Sequence, residues 1–313
     1  MTTKNTIAGG IFVLLIAFST CNNDNKGNPT NVTPQSTMQS FGTFQISLMA
    51  EDEYTAVLGK MYDGPSVPSM MFEEIAAGGS CKLFKRLYPF CDPDCGGQAV
   101  CVEGDSCQPY PSVVDIGTVT ISGLGMDDGK STISMDPING TYMNTSIKFP
   151  PCSEGDAITL TASGSSSVPP FTLTARGITP LELLNDTITL LDGQPIDIQW
   201  TKPTMAGIST IFVLIDISYH GGTKAKIECE CADNGSLVVP AKLIDSLKTF
   251  GISGFPKLEI SRRAISTDET ARAKLVVESK VVKLLQIPGI ITCTGDEVCP
   301  EGQHCAPDQR CRP

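Results

Sequence analysis

The chain has 313 residues and carries 34 acidic against 23 basic side chains, a formal charge of −11, with only 2 histidines. Binding to a phosphate backbone needs clustered Lys and Arg, so nucleic acid is excluded as an expected partner, and the acidic surplus reads first as solubility. A hydrophobic fraction of 41% excludes a wholly disordered chain, and 13 cysteines with frequent Gly and Pro point to an exported, oxidised, β-rich protein.

At the N-terminus, Lys4 precedes the apolar stretch Ile7 to Phe18, and the small residues Ser19 and Thr20 lead into Cys21. The stretch suits the h-region of an export signal but is too short for a transmembrane helix, which needs about 20 apolar residues. Phe18-Ser19-Thr20-Cys21 resembles a bacterial lipobox, in which the cysteine takes a diacylglyceryl group and becomes the mature N-terminus. Leu is usual where Phe18 stands, and Gly, Ala or Ser where Thr20 stands; ordinary cleavage after Ser19 is the alternative, since Ala17-Phe18-Ser19 fits the small-x-small rule. Parity favours lipidation, because removing Cys21 leaves an even set of cysteines that can all pair. Residues 1–20 are thus the expected lipoprotein signal, and acyl chains such as palmitate on Cys21 would anchor the chain to a membrane. Residues 21–40 are polar and nearly free of aliphatic side chains, which predicts a disordered tether with a reach of roughly 25 Å. In lipoproteins Asp after the lipidated cysteine favours inner-membrane retention; Asn22 stands there, so the resemblance implies the outer membrane, on its periplasmic or its cell-surface face.

Beyond the tether the division expected is 41–112 for an N-terminal strand and a cysteine-rich module, 113–290 for a β-sandwich body, and 291–313 for a second cysteine-rich module. Period-2 alternation predicts strands at Phe44 to Leu48, Val119 to Ile121, Ile158 to Ala162, Phe171 to Ala175 and Ile196 to Trp200. Ile211 to Ile215 is apolar without a break, as for a strand buried on both faces. Lys226 to Cys229, Leu258 to Ile260 and Lys274 to Val277 complete the series. One helix is predicted from about Ala241 to Phe250, with Leu243, Ile244 and Leu247 on one face after Pro240. The fold class is all-β, an Ig-like β-sandwich, one large or two packed, with Trp200, Phe212 and Phe171 as core aromatics.

The cysteine clusters hold an internal repeat. Cys95-x-Gly97-x-x-Val100-Cys101-x-Glu103-Gly104-x-x-Cys107-x-Pro109 recurs as Cys293-x-Gly295-x-x-Val298-Cys299-x-Glu301-Gly302-x-x-Cys305-x-Pro307. Each copy is too small for a core of its own, so disulfides are expected to constrain it. The tail can close on itself through Cys293, Cys299, Cys305 and Cys311, with three connectivities open. Cys81, Cys91, Cys95, Cys101 and Cys107 are odd in number, so full oxidation requires a bond from this cluster to Cys152, Cys229 or Cys231. Cys229 and Cys231 lie two apart on a strand and face the same side, which suits separate partners. All twelve are read as disulfide cysteines and no metal site is expected. Zinc is the alternative, through Cys91-x-x-x-Cys95 or with His304 beside Cys305, but exported cysteines mostly five residues apart read as disulfide-bonded.

Catalytic constellations are weak. Only His220 and His304 could serve a Ser-His-Asp triad, and no nucleophile elbow or zinc-protease helix is present. His220 before Gly221-Gly222 reads as a turn, as do Asp127-Asp128-Gly129 and Asp92-Pro93-Asp94 in place of calcium loops.

Together the Cys21 signal, the Cys81 to Cys107 cluster leading into Gly117 to Ile121, Trp200, Ser218-Tyr219-His220-Gly221, Ile227-Glu228-Cys229 with Asp233-Asn234-Gly235, and the cysteine-rich tail resemble a group of uncharacterised surface lipoproteins of Gram-negative bacteria. That resemblance implies a β-sandwich body and carries no activity and no functional residues. The tail is also similar to small extracellular modules that interlock their bridges, which implies Cys293 to Cys305 and Cys299 to Cys311. The expectation is a non-enzymatic outer-membrane surface lipoprotein without cofactors, structural or adhesive in role. A module for a protein or glycan ligand is the second reading and a hydrolase the third. A groove lined by exposed aromatics would favour the glycan; His220 within reach of a Ser and a carboxylate would favour the hydrolase.

Overall fold

The computed structural model describes residues 41–219 and 222–313. Cys21, the tether and His220 lie outside them. The described residues are all-β apart from one α-helix and two short 3-10 turns.

Its N-terminal part makes three hairpins in succession. These are β1 (Gly42–Met49) with β2 (Tyr54–Met61), β3 (Phe72–Gly78) with β4 (Cys81–Arg86), and β5 (Ala99–Val102) with β6 (Ser106–Pro109). Then come β7 (Val119–Ser122), β8 (Thr132–Met135), β9 (Thr141–Ile147), β10 (Ala157–Ala162), β11 (Phe171–Arg176), β12 (Ile188–Thr189) and β13 (Ile196–Gln199). β14 (Thr210–Asp216), β15 (Ala225–Ala232) and β16 (Ser236–Val239) precede helix α1 (Ala241–Lys248). A long hairpin follows, β17 (Lys257–Asp268) and β18 (Ala273–Gln286), before the tail strands β19 (His304–Cys305) and β20 (Cys311–Arg312).

A ten-stranded sheet runs β3-β4-β15-β14-β17-β18-β1-β2-β9, with β12 also on β18. The β17–β18 hairpin is its spine. The tip half of β18, Ala273 to Ser279, pairs in parallel with β1, while the base half of β17, Lys257 to Arg263, pairs with β14. Each half carries its own core, so the body is two sandwiches sharing one sheet. At the tip, the sheet packs on the four-stranded sheet β11-β10-β7-β8, with Phe44 against Tyr142 and Phe171 at ring separations of 5.9 and 6.5 Å. Gly59 lies opposite Phe44 in register, and a Cβ there would sit 2.1 Å from the ring, so this strand position needs glycine. At the base, the sheet packs on the β13–β16 pair and on α1, whose Leu243, Ile244 and Leu247 are buried as the periodicity predicts.

Where the sandwiches meet, Arg262 and Asp233 are buried together. The Asp233 carboxylate accepts from Arg262 Nε (2.6 Å), Trp200 Nε1 (2.7 Å) and Ser209 Oγ (2.7 Å). Arg262 gives its other protons to the carbonyls of Thr179, Pro180 and Thr201, on the strand-linking chain between the two cores. A buried ion pair is costly to desolvate, and this one has the extra hydrogen bonds that such burial requires.

Several sequence expectations change here. β1 to β4 are strands of the large sheet, so the sandwich begins at Gly42 and not at residue 113; in the segment 41–112 only the stretch around β5 and β6 stands apart. β14 buries one face, at Ile211, Val213 and Ile215, while Phe212 and Leu214 are half-buried on the other. Phe212 is accordingly not in the core; the Arg263 guanidinium stacks 4.1 Å from its ring. Trp200 and Phe171 are core residues as expected.

The disulfides are Cys81–Cys229, Cys91–Cys101, Cys95–Cys107, Cys293–Cys305 and Cys299–Cys311. The tail is internally crossed, and the first cluster sends its odd cysteine to Cys229. Cys152 and Cys231, expected to be bridged, are thiols instead. Cys152 packs against the tip core and Cys231 lies in the base core, so they cannot meet. Cys231 does face the same side as Cys229, but its cross-strand neighbour on β14 is Ile211, and β4 begins at Cys81, opposite Cys229. The repeat pairs equivalently through Cys95–Cys107 and Cys293–Cys305, whereas the bond of its middle cysteine goes back to Cys91 in the first copy and forward to Cys311 in the second.

Candidate ligand-binding cavity

The face of the large sheet turned away from both cores carries a cavity of about 760 Å³, within the range of small-molecule and oligomer sites. Its floor comes from alternation. In β1 the even residues fill the core, so Thr43 points to the other face, where its cross-strand neighbour on β2 is Lys60. Phe41 and Tyr62 extend the floor at the two strand ends. The opposite wall is a second cross-strand pair, Phe72 on β3 with Arg86 on β4. β1–β2 and β3–β4 lie toward opposite edges of the sheet, so a cavity touching both occupies the concave side of a coiled sheet. Consistent with that curl, Val276 and Glu278 face away from both cores yet are only 7% and 5% exposed.

The third wall is the first cysteine-rich module, through Val100, Tyr110 and Pro111. Backbone bonds hold it in place. Asp63 N–H donates to Ser112 O (3.0 Å) and Val114 N–H to Met61 O (2.9 Å), and the Asp63 carboxylate accepts from Ser112 N–H at 2.7 Å. The crossed disulfides make this wall rigid without a core of its own.

Lys60 and Arg86 are cationic, and the lining contains no carboxylate, histidine or cysteine. Neither forms an ion pair among the described residues, and Arg86 Nε is buried there without a hydrogen-bond acceptor. Such a donor costs about 1 to 3 kcal/mol if nothing accepts from it. Lys274 flanks Thr43 on β18, on the same face as Lys60. Burial, and after it the nearby Arg263 charge, push the Lys274 ammonium below the usual lysine range. The aromatic residues are Phe41, Tyr62, Phe72 and Tyr110. The Arg272 guanidinium stands 4.5 Å from the Phe41 ring, and Lys226 Nζ 4.3 Å from the Phe72 ring. This set can stack on, donate to and attract a ligand, and it brings no carboxylate or imidazole to the cavity.

Of the residues singled out from sequence, Val100 of the repeat lines this cavity, and none of the candidate catalytic, metal or lipidation residues is placed there. Cys21 and His220 lie outside the described residues. His304 is exposed on β19. Cys91, Cys95 and Cys101 bring their sulfurs within 4.8 Å of one another, as do Cys293, Cys299 and Cys311, but every one of these sulfurs is bonded in a disulfide. The two acidic turns satisfy themselves: Asp94 accepts from Gly96 N–H at 2.7 Å and Asp128 from Lys130 N–H at 3.1 Å. What sequence reading missed is Lys60 on β2 with Tyr62 just past its end, and Tyr110-Pro111 just after the module. The alternation Leu58-Gly59-Lys60-Met61-Tyr62 was the available signal, weakened by its central glycine.

No protein-family model and no curated protein matches the sequence. Among solved structures, the native conformation of E. coli alpha-2-macroglobulin is similar over 75% of this chain and 16% of its own, at 10% identity and a TM-score of 0.21. The chain thus spans about one sixth of that protein's length, and a score this low bears on neither fold nor activity.

Proposed function

We propose that this is a non-enzymatic surface lipoprotein, anchored through Cys21, whose adhesive role is exerted by binding a glycan in the cavity beside the first cysteine-rich module. The observation that carries the reading is the lining itself: four aromatic rings with hydrogen-bond donors and two cations, and no acid or histidine to run hydrolysis. Sugar rings present C–H faces that stack on aromatic side chains and hydroxyls that take the polar contacts, so such a lining suits them. A fixed module as one wall limits the ordering cost of binding. The export signal and cysteine usage support an envelope address, where glycans are the abundant ligands of this kind.

A glycan array probed with the full chain, followed by titration of any hit, tests it. Tyr110→Ala and Tyr62→Ala should each weaken a genuine hit by about tenfold or more, since a buried aromatic contact is worth at least about 1.4 kcal/mol. Hits unaffected by either change would place binding elsewhere and overturn the reading.

A further inference from the structure

We infer that the saccharide this cavity selects is anionic, carrying a carboxylate or sulfate that sits between Lys60 and Arg86. This rests on the cavity being a saccharide site and adds the charge of its ligand. In a chain of formal charge −11, a concave surface lined by cations and no acid is a local inversion of sign. Elsewhere on the same face the cations are matched: Arg263 Nε donates to Glu278, which also accepts from Gln45 Nε2. Lys60, Arg86 and Lys274 have no such partner among the described residues. Lys60 and Lys274 flank Thr43 from β2 and β18, so two lysines stand on this face with one strand between them. An anion held at Lys60 and Arg86 would find Lys274 as a further positive charge on the neighbouring strand. Arg86 adds the geometric pointer, because its buried Nε has an open donor position that a carboxylate or sulfate oxygen fills. The aromatic walls then take the ring of the same sugar, which distinguishes the site from one for a bare inorganic anion.

The full-length chain in detergent is titrated calorimetrically with an oligogalacturonate, with its carboxyl-reduced neutral counterpart, with a sulfated oligosaccharide of similar length, and with inorganic sulfate. The acidic sugars should bind at least tenfold more tightly than the neutral one, weaken as salt is raised, and lose that advantage in Lys60→Gln and Arg86→Gln. Both variants should unfold thermally at the midpoint of the parent chain, which shows that they are folded; Lys274→Gln should give a smaller loss. Equal affinity for neutral and acidic sugars overturns the inference and leaves the saccharide reading standing. Binding of none of the sugars overturns the saccharide reading itself. Inorganic sulfate binding as tightly as the sulfated sugar would show a simple anion site and overturn the inference.

Discussion

Arg262 and Asp233 illustrate how a single pair can join two cores. Every donor and acceptor they carry toward the protein is used, at a point where β17 passes from one sandwich to the other. Arg262→Ala would leave the Asp233 carboxylate buried and unpaired, and should lower stability by about 3 to 5 kcal/mol in urea unfolding. Arg262→Lys should restore only part, because an ammonium cannot reproduce the planar fork. Cys152 makes a second residue-scale prediction. Burial, with Asp156 nearby, pushes its thiol from 9.0 to about 11. Below pH 9 the thiol is protonated whether the chain is folded or not; between pH 9 and 11 the unfolded chain ionises first, so stability falls as pH rises through that window. Native alkylation at pH 8 should therefore be slow at Cys152, while unfolding without reductant should expose two alkylatable thiols within residues 41–313. Labelling followed by peptide mass spectrometry checks both statements. Trp200 could be read from sequence as a core residue, being the only Trp in an alternating strand. Its acceptor Asp233 could not, since no local spacing ties positions 33 residues apart.

The elements that were legible are those where one face is buried and the other wet. β10, β11 and β13 alternate cleanly, and α1 shows its apolar stripe. β3, β4 and β9 were not legible, because their second face is only partly covered and their residues are mixed in character. The Ile211 to Ile215 run misled for the opposite reason: Phe212 and Leu214 lie on the concave face, where curvature covers them only by half. The tail was legible as a unit, and its two bonds are internal. It touches the body through Gly254 N–H donating to Asp308 O at 2.9 Å. A chain ending at Ile290, which keeps the contact of that residue with the base core, should remain folded, with a thermal midpoint lowered by less than about 8 °C. The Cys81–Cys229 bond is different in kind. It spans 148 residues and crosses adjacent strands of the large sheet, so Cys81→Ala with Cys229→Ala should cost about 2 to 5 kcal/mol by the loop-closure argument, read in the same unfolding assay.

At the scale of the molecule, the candidate site was the least legible part, because its walls come from three hairpins that only the completed sheet brings together. The proposed address, by contrast, rests on one contiguous stretch, Ile7 to Cys21, and is put forward from sequence alone. Cys21→Ser should move the protein from the membrane to the soluble fraction, and intact-mass analysis of the native N-terminus should show acyl groups on Cys21; an unmodified chain beginning at Thr20 would refute lipidation. Phe41 would give the proposed anchoring a mechanical meaning. It forms part of the cavity floor, directly ahead of β1 and 20 positions beyond Cys21. Tension between an anchored Cys21 and a captured ligand would enter the body at Phe41 and leave it through the neighbouring cavity walls. The load would thus pass through β1, β2 and the cross-linked module, where Phe41 also packs on the tip core, and leave the base core off its path, so a strained ligand bond would try the tip sandwich before the base one.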